Sequence, residues 1–131
     1  MSVFVRARFE PLAGRRDDFV ALARALTARA ADEPGTLTYR WFGPDRGGYL
    51  VIEQYADSAA ALAHNARCAD LLAEVPRTAT MVTAELYGPL GHDLLTWASA
   101  HPQVTTYPDL ALVPSGSAAA DPGPDDGAGQ Q

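Results

Sequence analysis

Residues Gly48–Leu72, GYLVIEQYADSAAALAHNARCADLL, change periodicity halfway along and so decide the fold. From Tyr49 to Tyr55 the period is two: Tyr49, Val51, Glu53 and Tyr55 point one way, and Leu50, Ile52 and Gln54 the other. Both faces carry substantial side chains, which predicts a strand covered on both sides. Asp57-Ser58 then offers a helix N-cap, because either side-chain oxygen can accept from a free backbone N–H of the first turn. The alanine-rich run that follows has high helix propensity and carries His64.

Outward from this block, Thr36 to Phe42 reads as a preceding strand, and the Gly43–Gly48 segment GPDRGG turns it into a hairpin with the Tyr49–Tyr55 strand. Arg15 to Glu33 reads as an amphipathic helix, since Phe19, Leu22, Ala23, Leu26 and Ala30 recur at helical spacing with Arg24 and Arg29 opposite. Pro34-Gly35 stops it. Val3 to Glu10 alternates as a first strand, with Val3, Val5, Ala7 and Phe9 on one face and Phe4, Arg6, Arg8 and Glu10 on the other. Downstream of Pro76, Thr78 to Tyr87 supplies a fourth strand.

The order strand, helix, strand, strand, helix, strand is the split βαβ pattern of an α+β, ferredoxin-like fold with a four-stranded antiparallel sheet. Two helices cover one face and leave the other bare. An apolar patch carrying Phe4, Val51 and Met81 would then be exposed, so a second copy is expected to cover it, giving a homodimer whose sheets meet face to face. Gly91 to Ala100 reads as a short helix and Val104 to Tyr107 as a brief strand ended by Pro108, a C-terminal arm (88–113) suited to packing on the partner. These segments make one domain, 1–113. From Pro114 the chain has no aromatic or large aliphatic residue, so 114–131 is expected to be a disordered tail.

Composition excludes several functions. A chain of 131 residues, 47% hydrophobic, supports one core but encloses little ligand volume alone. All ten basic residues are arginine, which removes Schiff-base chemistry, pyridoxal phosphate attachment and the phosphate-loop lysine. Removing the tail aspartates Asp121, Asp125 and Asp126 from the formal charge of −6 leaves −3, and no basic stripe with interleaved aromatics is present. Nucleic acid is not an expected partner. One cysteine, Cys68, and three scattered histidines make no zinc signature, so no structural metal is expected. No stretch approaches the about 20 apolar residues of a membrane span, and MSVFVRARFE has no signal-peptide pattern. A cytoplasmic protein without membrane contact is expected.

The first strand and helix, the EPGTLTYRWF entry to the second strand, the GYLVIEQYADSAAALAHNA block and the TAELYGP end of the fourth strand resemble the antibiotic biosynthesis monooxygenase family, which includes quinol monooxygenases. The resemblance runs from about Val3 to Tyr107. It implies a dimeric α+β barrel and oxidation of polycyclic phenols, anthrones or quinols to quinones by dioxygen without metal, flavin or haem. Many members carry a segment H-x-x-S-P-H-F. Here His64 matches the first histidine, whereas Arg67, Cys68, Ala69 and Asp70 stand in place of Ser, Pro, His and Phe.

Such a reaction needs a base to make the phenol or anthrone electron-rich, an apolar slot for flat rings, and donors for the resulting enolate. An imidazole titrates near neutral pH, so His64 is the candidate base; the alternative is a histidine tucked against the sheet edge or left at the surface. Asn65, about 100° round the helix, is a second candidate to touch substrate. Glu53 and Tyr55 share a strand face, and Arg6, Arg8 and Arg40 lie on expected neighbours. A carboxylate held by arginine inside the dimer cavity follows, either as an acid–base group or as a barrel-interior ion pair. Tyr39, Trp41, Tyr49, Tyr55 and Tyr87 could wall a site for an aromatic ligand, although aromatic residues are also ordinary strand formers. His64 and Cys68, at i and i+4, could touch; a Cys–His nucleophile pair is weighed against a small buried cysteine and set aside.

The catalytic candidates are therefore His64, Glu53 and Tyr55, and the substrate-binding candidates Trp41, Tyr39, Arg40, Arg6, Asn65 and Tyr87. Three function classes stay open: a cofactor-independent monooxygenase acting on an aromatic polyketide, anthrone or quinol, a non-oxidative cyclase or isomerase on the same scaffold, and a small-ligand-binding protein.

Overall fold

The computed structural model describes residues 1–112; the segment expected to be a disordered tail lies outside them. Five strands form one sheet in the order β2-β3-β1-β4-β5. They are β1 (Val3–Pro11), β2 (Thr36–Asp45), β3 (Gly48–Tyr55), β4 (Ala79–Tyr87) and β5 (Val104–Tyr107). The helices are α1 (Arg16–Ala30), α2 (Ser58–Arg67), α3 (Ala69–Leu72) and α4 (Gly91–Ser99). The first four strands pair antiparallel in the ferredoxin-like order, while β5 pairs parallel to β4. The sheet is thus mixed and five-stranded rather than four-stranded and antiparallel.

That fifth strand redirects the expectation for the C-terminal arm. β4 offers an open edge, and α4 carries β5 back onto it, burying Leu94 and Ala98 with Val3, Tyr55, Ala61, Leu86 and Leu90 of the same chain. Leu94 and Ala98 thereby find cover within their own chain, while Leu95 and Trp97 on the other side of α4 stay 48% and 39% exposed.

Local chemistry explains the two main helices. Asp57, with extended φ of −163°, caps α2 by accepting from the Ala60 N–H at 2.8 Å, an interaction that stabilises by about 1 kcal/mol. α1 lacks a side-chain cap but places Asp17 and Asp18 in its first turn and Arg29 in its last, complementing the helix dipole. Its buried Phe19, Ala23, Leu26 and Ala30 form one stripe against the sheet. Phe19 sits among Phe9, Trp41 and Tyr49 at ring separations of 5.5–5.7 Å, so Phe19→Ala would cost about 3–5 kcal/mol. At the start of β2, Gly35 packs so closely on α2 that a Cβ there would stand 2.6 Å from the Ala60 Cβ.

Strand alternation sorts the side chains cleanly. Val3, Ala7, Val51, Tyr55, Ala84 and Leu86 lie beneath the helices, with Tyr39, Trp41 and Met81 packed against that core. Val51 and Met81 therefore do not belong to the uncovered face. That face carries Phe4, Phe42 and Ile52, between 36% and 41% exposed, with Arg6, Arg8, Arg40, Leu50 and the stacked pair Tyr87–Tyr107. No helix of the described residues is long and apolar enough to cross a membrane.

Candidate active site

The turn after α1 tightens: Asp32 N–H donates to the Arg29 carbonyl and Glu33 N–H to the Ala30 carbonyl, each at 3.1 Å. Glu33 is thereby turned under α2. Its Oε1 accepts from the Thr36 hydroxyl at 2.7 Å and lies 2.7 Å from His64 Nδ1. Its Oε2 lies 3.4 Å from Arg67 Nη1 and 3.6 Å from the Cys68 thiol, which is itself 3.8 Å from His64 Nδ1. A carboxylate facing Nδ1 holds the ring proton there, so the lone pair of neutral His64 resides on Nε2. The ring, 3% exposed, packs on Tyr39 and Tyr55 at 5.3 and 5.4 Å.

Directly beneath, Tyr39 and Glu53 are cross-strand partners, and the Tyr55 hydroxyl donates to Glu53 Oε1. Burial pushes the Glu53 carboxyl above the usual carboxylate range; the Tyr55 hydrogen bond and the proximity of His64 only partly offset that. Burial, reinforced by the Glu53 charge, also raises both tyrosines, so their hydroxyls stay protonated as donors. Glu33 behaves oppositely: its burial would raise it, but the hydrogen bonds from Thr36 and His64 together outweigh that and leave it below the usual range. Two carboxylates are thus held with their affinities for protons pushed apart.

Trp41 completes the group. Its indole Nε1 is buried and has no hydrogen-bond partner among the described residues, close enough to Tyr39 to ease that hydroxyl's ionisation slightly but not in bonding geometry. An unpaired buried donor costs about 1–3 kcal/mol, which a ligand acceptor would recover.

The expected site residues divide across the sheet. His64, Glu53, Tyr55, Tyr39 and Trp41 gather between sheet and helices. Arg6, Arg40 and Tyr87 occupy the open face, where Arg6 pairs with Glu85 at 3.0 Å, Arg40 lies over the Phe42 ring at 5.0 Å, and Tyr87 donates to Glu85. Asn65 is exposed on α2. The expected arginine-held Glu53 is therefore overturned: Arg6, Arg8 and Arg40 stand at even-numbered strand positions, and strict alternation sends them to the opposite face from Glu53. A concavity of 270 Å³ also opens on that far face, lined by Arg6, Arg8, Phe42, Leu50 and Thr83 among others; it contains none of the acid–base groups, so chemistry, not void volume, locates the site. Glu33 and Cys68 are the site members sequence reasoning missed or set aside. The i, i+4 spacing of His64 and Cys68 was the available signal, whereas Glu33, 31 residues from His64, had none.

Among solved structures the chain resembles MupZ from Pseudomonas fluorescens, 22% identical, with a TM-score of 0.71 over 91% of this chain and 98% of that one. Rv0793 from Mycobacterium tuberculosis is 25% identical, with a TM-score of 0.63 over 70% and 98%. SnoaB, a cofactor-independent oxygenase from Streptomyces nogalater, is 18% identical, with a TM-score of 0.57 over 65% and 89%. No curated protein matches the chain. The family model described as antibiotic biosynthesis monooxygenase matches residues 2–69, more than half of the 131 residues, and spans β1 through α2 with every member of the buried cluster. The chain belongs to the antibiotic biosynthesis monooxygenase family.

Proposed function

We propose that this protein is a cofactor-independent monooxygenase that oxidises a flat phenolic substrate, an aromatic polyketide, anthrone or quinol, with dioxygen. The observation that carries the proposal is the buried Glu33–His64 pair set against Tyr39 and Tyr55. For an anthrone, His64 Nε2 takes the acidic proton while Glu33 stabilises the imidazolium that forms. The enolate oxygen meets donors already in place: the Trp41 N–H and the Tyr39 hydroxyl. The electron-rich enolate gives one electron to dioxygen, the radical pair joins as a carbon–oxygen bond, and the resulting peroxide takes the proton from His64. Loss of the second carbon-bound hydrogen with cleavage of the O–O bond leaves a carbonyl and releases water. Methylene plus dioxygen thus gives carbonyl plus water. His64 is 3% exposed, so substrate reaches its Nε2 only when the packing around the ring opens.

We further propose that the working form is a cytoplasmic homodimer, the sheet of one copy covering Phe4, Phe42 and Ile52 of the other. The likeness to a cofactor-independent oxygenase and the family membership support the reaction class. The test is turnover of 1,8-dihydroxyanthrone under ¹⁸O-labelled dioxygen. One ¹⁸O atom in the new carbonyl, with matching oxygen uptake by enzyme free of flavin and haem absorption, is the expected result. Isomerised product without oxygen uptake would replace this reading with the cyclase or isomerase alternative.

A further inference from the structure

We propose that Glu33, His64 and Cys68 form a binding site for one divalent transition-metal ion of the zinc type. Their candidate ligand atoms, one carboxylate oxygen, one imidazole nitrogen and one thiol sulfur, all lie within 4.8 Å of one another, on side chains that are largely or fully buried. Bonds of about 2.0 Å to nitrogen and oxygen and about 2.3 Å to sulfur, at tetrahedral angles, separate ligand atoms by roughly 3.3–3.6 Å. The thiol lies 3.6 Å from Glu33 Oε2, at that spacing, and 3.8 Å from His64 Nδ1, about 0.2 Å beyond it. The imidazole contact, 2.7 Å to the other oxygen Oε1, must open by about 0.6 Å as the Glu33 carboxylate turns to present one oxygen to the ion.

Ligand type selects the metal. A thiolate and an imidazole with a single carboxylate suit zinc or cobalt(II) and disfavour magnesium or calcium, which demand oxygen. Charge also closes: the ion's two positive charges meet one thiolate and one carboxylate, leaving a neutral buried unit. The Thr36 hydroxyl, bonded to Glu33 at 2.7 Å, fixes the carboxylate from behind. Arg67, 3.4 Å from Glu33 and 4.0 Å from Asp32, has the latter as an alternative partner when the metal arrives. Binding releases the thiol proton, and the imidazole proton moves from Nδ1 to Nε2 as the metal takes Nδ1. Because the thiol must give up its proton to the solvent on binding, affinity falls with acid.

A consequence follows that rests on the oxygenase reading: with its Nε2 protonated, His64 cannot serve as a base, so bound zinc inhibits turnover and a chelator restores it.

The test is titration of the chelator-treated full chain with cobalt(II) at mildly alkaline pH. Cys68 is the only cysteine, so a thiolate-to-cobalt charge-transfer band in the near ultraviolet reports this site alone. The expected result is saturation at one equivalent, with visible ligand-field bands of tetrahedral intensity. Cys68→Ser should abolish the band, and Glu33→Gln should retain it while weakening affinity at least about tenfold. Circular dichroism checks that both variants remain folded. Wild-type protein that shows no saturable band at micromolar concentration overturns the proposal, as does a band with unchanged affinity in Glu33→Gln. A cobalt band in protein that isomerises the anthrone without oxygen uptake retains the metal site and removes the oxygenase reading, so the two fail separately.

Discussion

His64 Nδ1 lies 2.7 Å from Glu33 Oε1, joining the middle of α2 to the turn that ends α1. The contact fixes which ring nitrogen holds the proton and gives the imidazolium a counter-charge. His64→Ala is expected to lower kcat/KM by about 10²–10⁴, the usual scale for a positioned base. Glu33→Gln should lower kcat with less effect on KM, and should move the pH–rate profile, which a purely structural residue would not do. Undiminished oxygen uptake in His64→Ala would remove the base assignment.

Glu33 and Glu53 should give opposite pH signatures in thermal melts. The Glu33 carboxyl is held below its unfolded value, so its contribution is present above roughly pH 4.5 and is lost as pH falls through the folded pKa. Glu53 is raised, so its contribution is complete below roughly pH 4.5 and is lost as pH rises through the folded pKa. Glu53→Gln should therefore match wild type near pH 4 and exceed its Tm at pH 8. A Tm difference that does not change between these pH values would show that Glu53 is not strained by burial.

Trp41→Phe separates packing from recognition. The ring stays in the Phe9–Phe19–Tyr39 cluster while the unpaired N–H disappears, so stability should hold or rise by about 1 kcal/mol. kcat should fall about tenfold or more, with less change in KM, if that N–H donates to the enolate oxygen. A Trp41→Phe enzyme with unchanged kcat would return the indole to a packing role.

Light scattering at micromolar concentration should report twice the 13.9 kDa chain mass. Phe4→Asp combined with Ile52→Asp places charges at the centre of the open face and should yield a folded monomer. A wild-type monomer of normal stability would dismiss the face-to-face dimer.

Element order was legible because the period changes from two to 3.6 within Gly48–Leu72 and because Asp57 caps where a cap was needed. The Val104–Tyr107 strand was legible too, but its pairing was not: four residues carry no mark saying whose edge they join. The strand alternation and the α2 helix named His64, Glu53, Tyr55, Tyr39 and Trp41, which the fold brings together between sheet and helices. The error over Arg6 and Arg40 came from pooling residues of neighbouring strands without tracking register, since a one-position offset reverses the face. Glu33 escaped because its role depends on a turn that closes against a distant helix, and long-range contacts leave no local periodicity.

At the Gly35–Ala60 contact, a methyl group added to Gly35 would meet the Ala60 Cβ at 2.6 Å. The two smallest side chains available thus act as a shim between α2 and the β2–β3 hairpin, setting how far His64 hovers above Tyr39. Gly35→Ala would push α2 away from the strand by a fraction of an ångström, and under the proposed function that changes the packing of His64 on Tyr39 without altering any group that handles protons. The spacing between the proposed base and the sheet is thus set by a contact that involves no ionisable group.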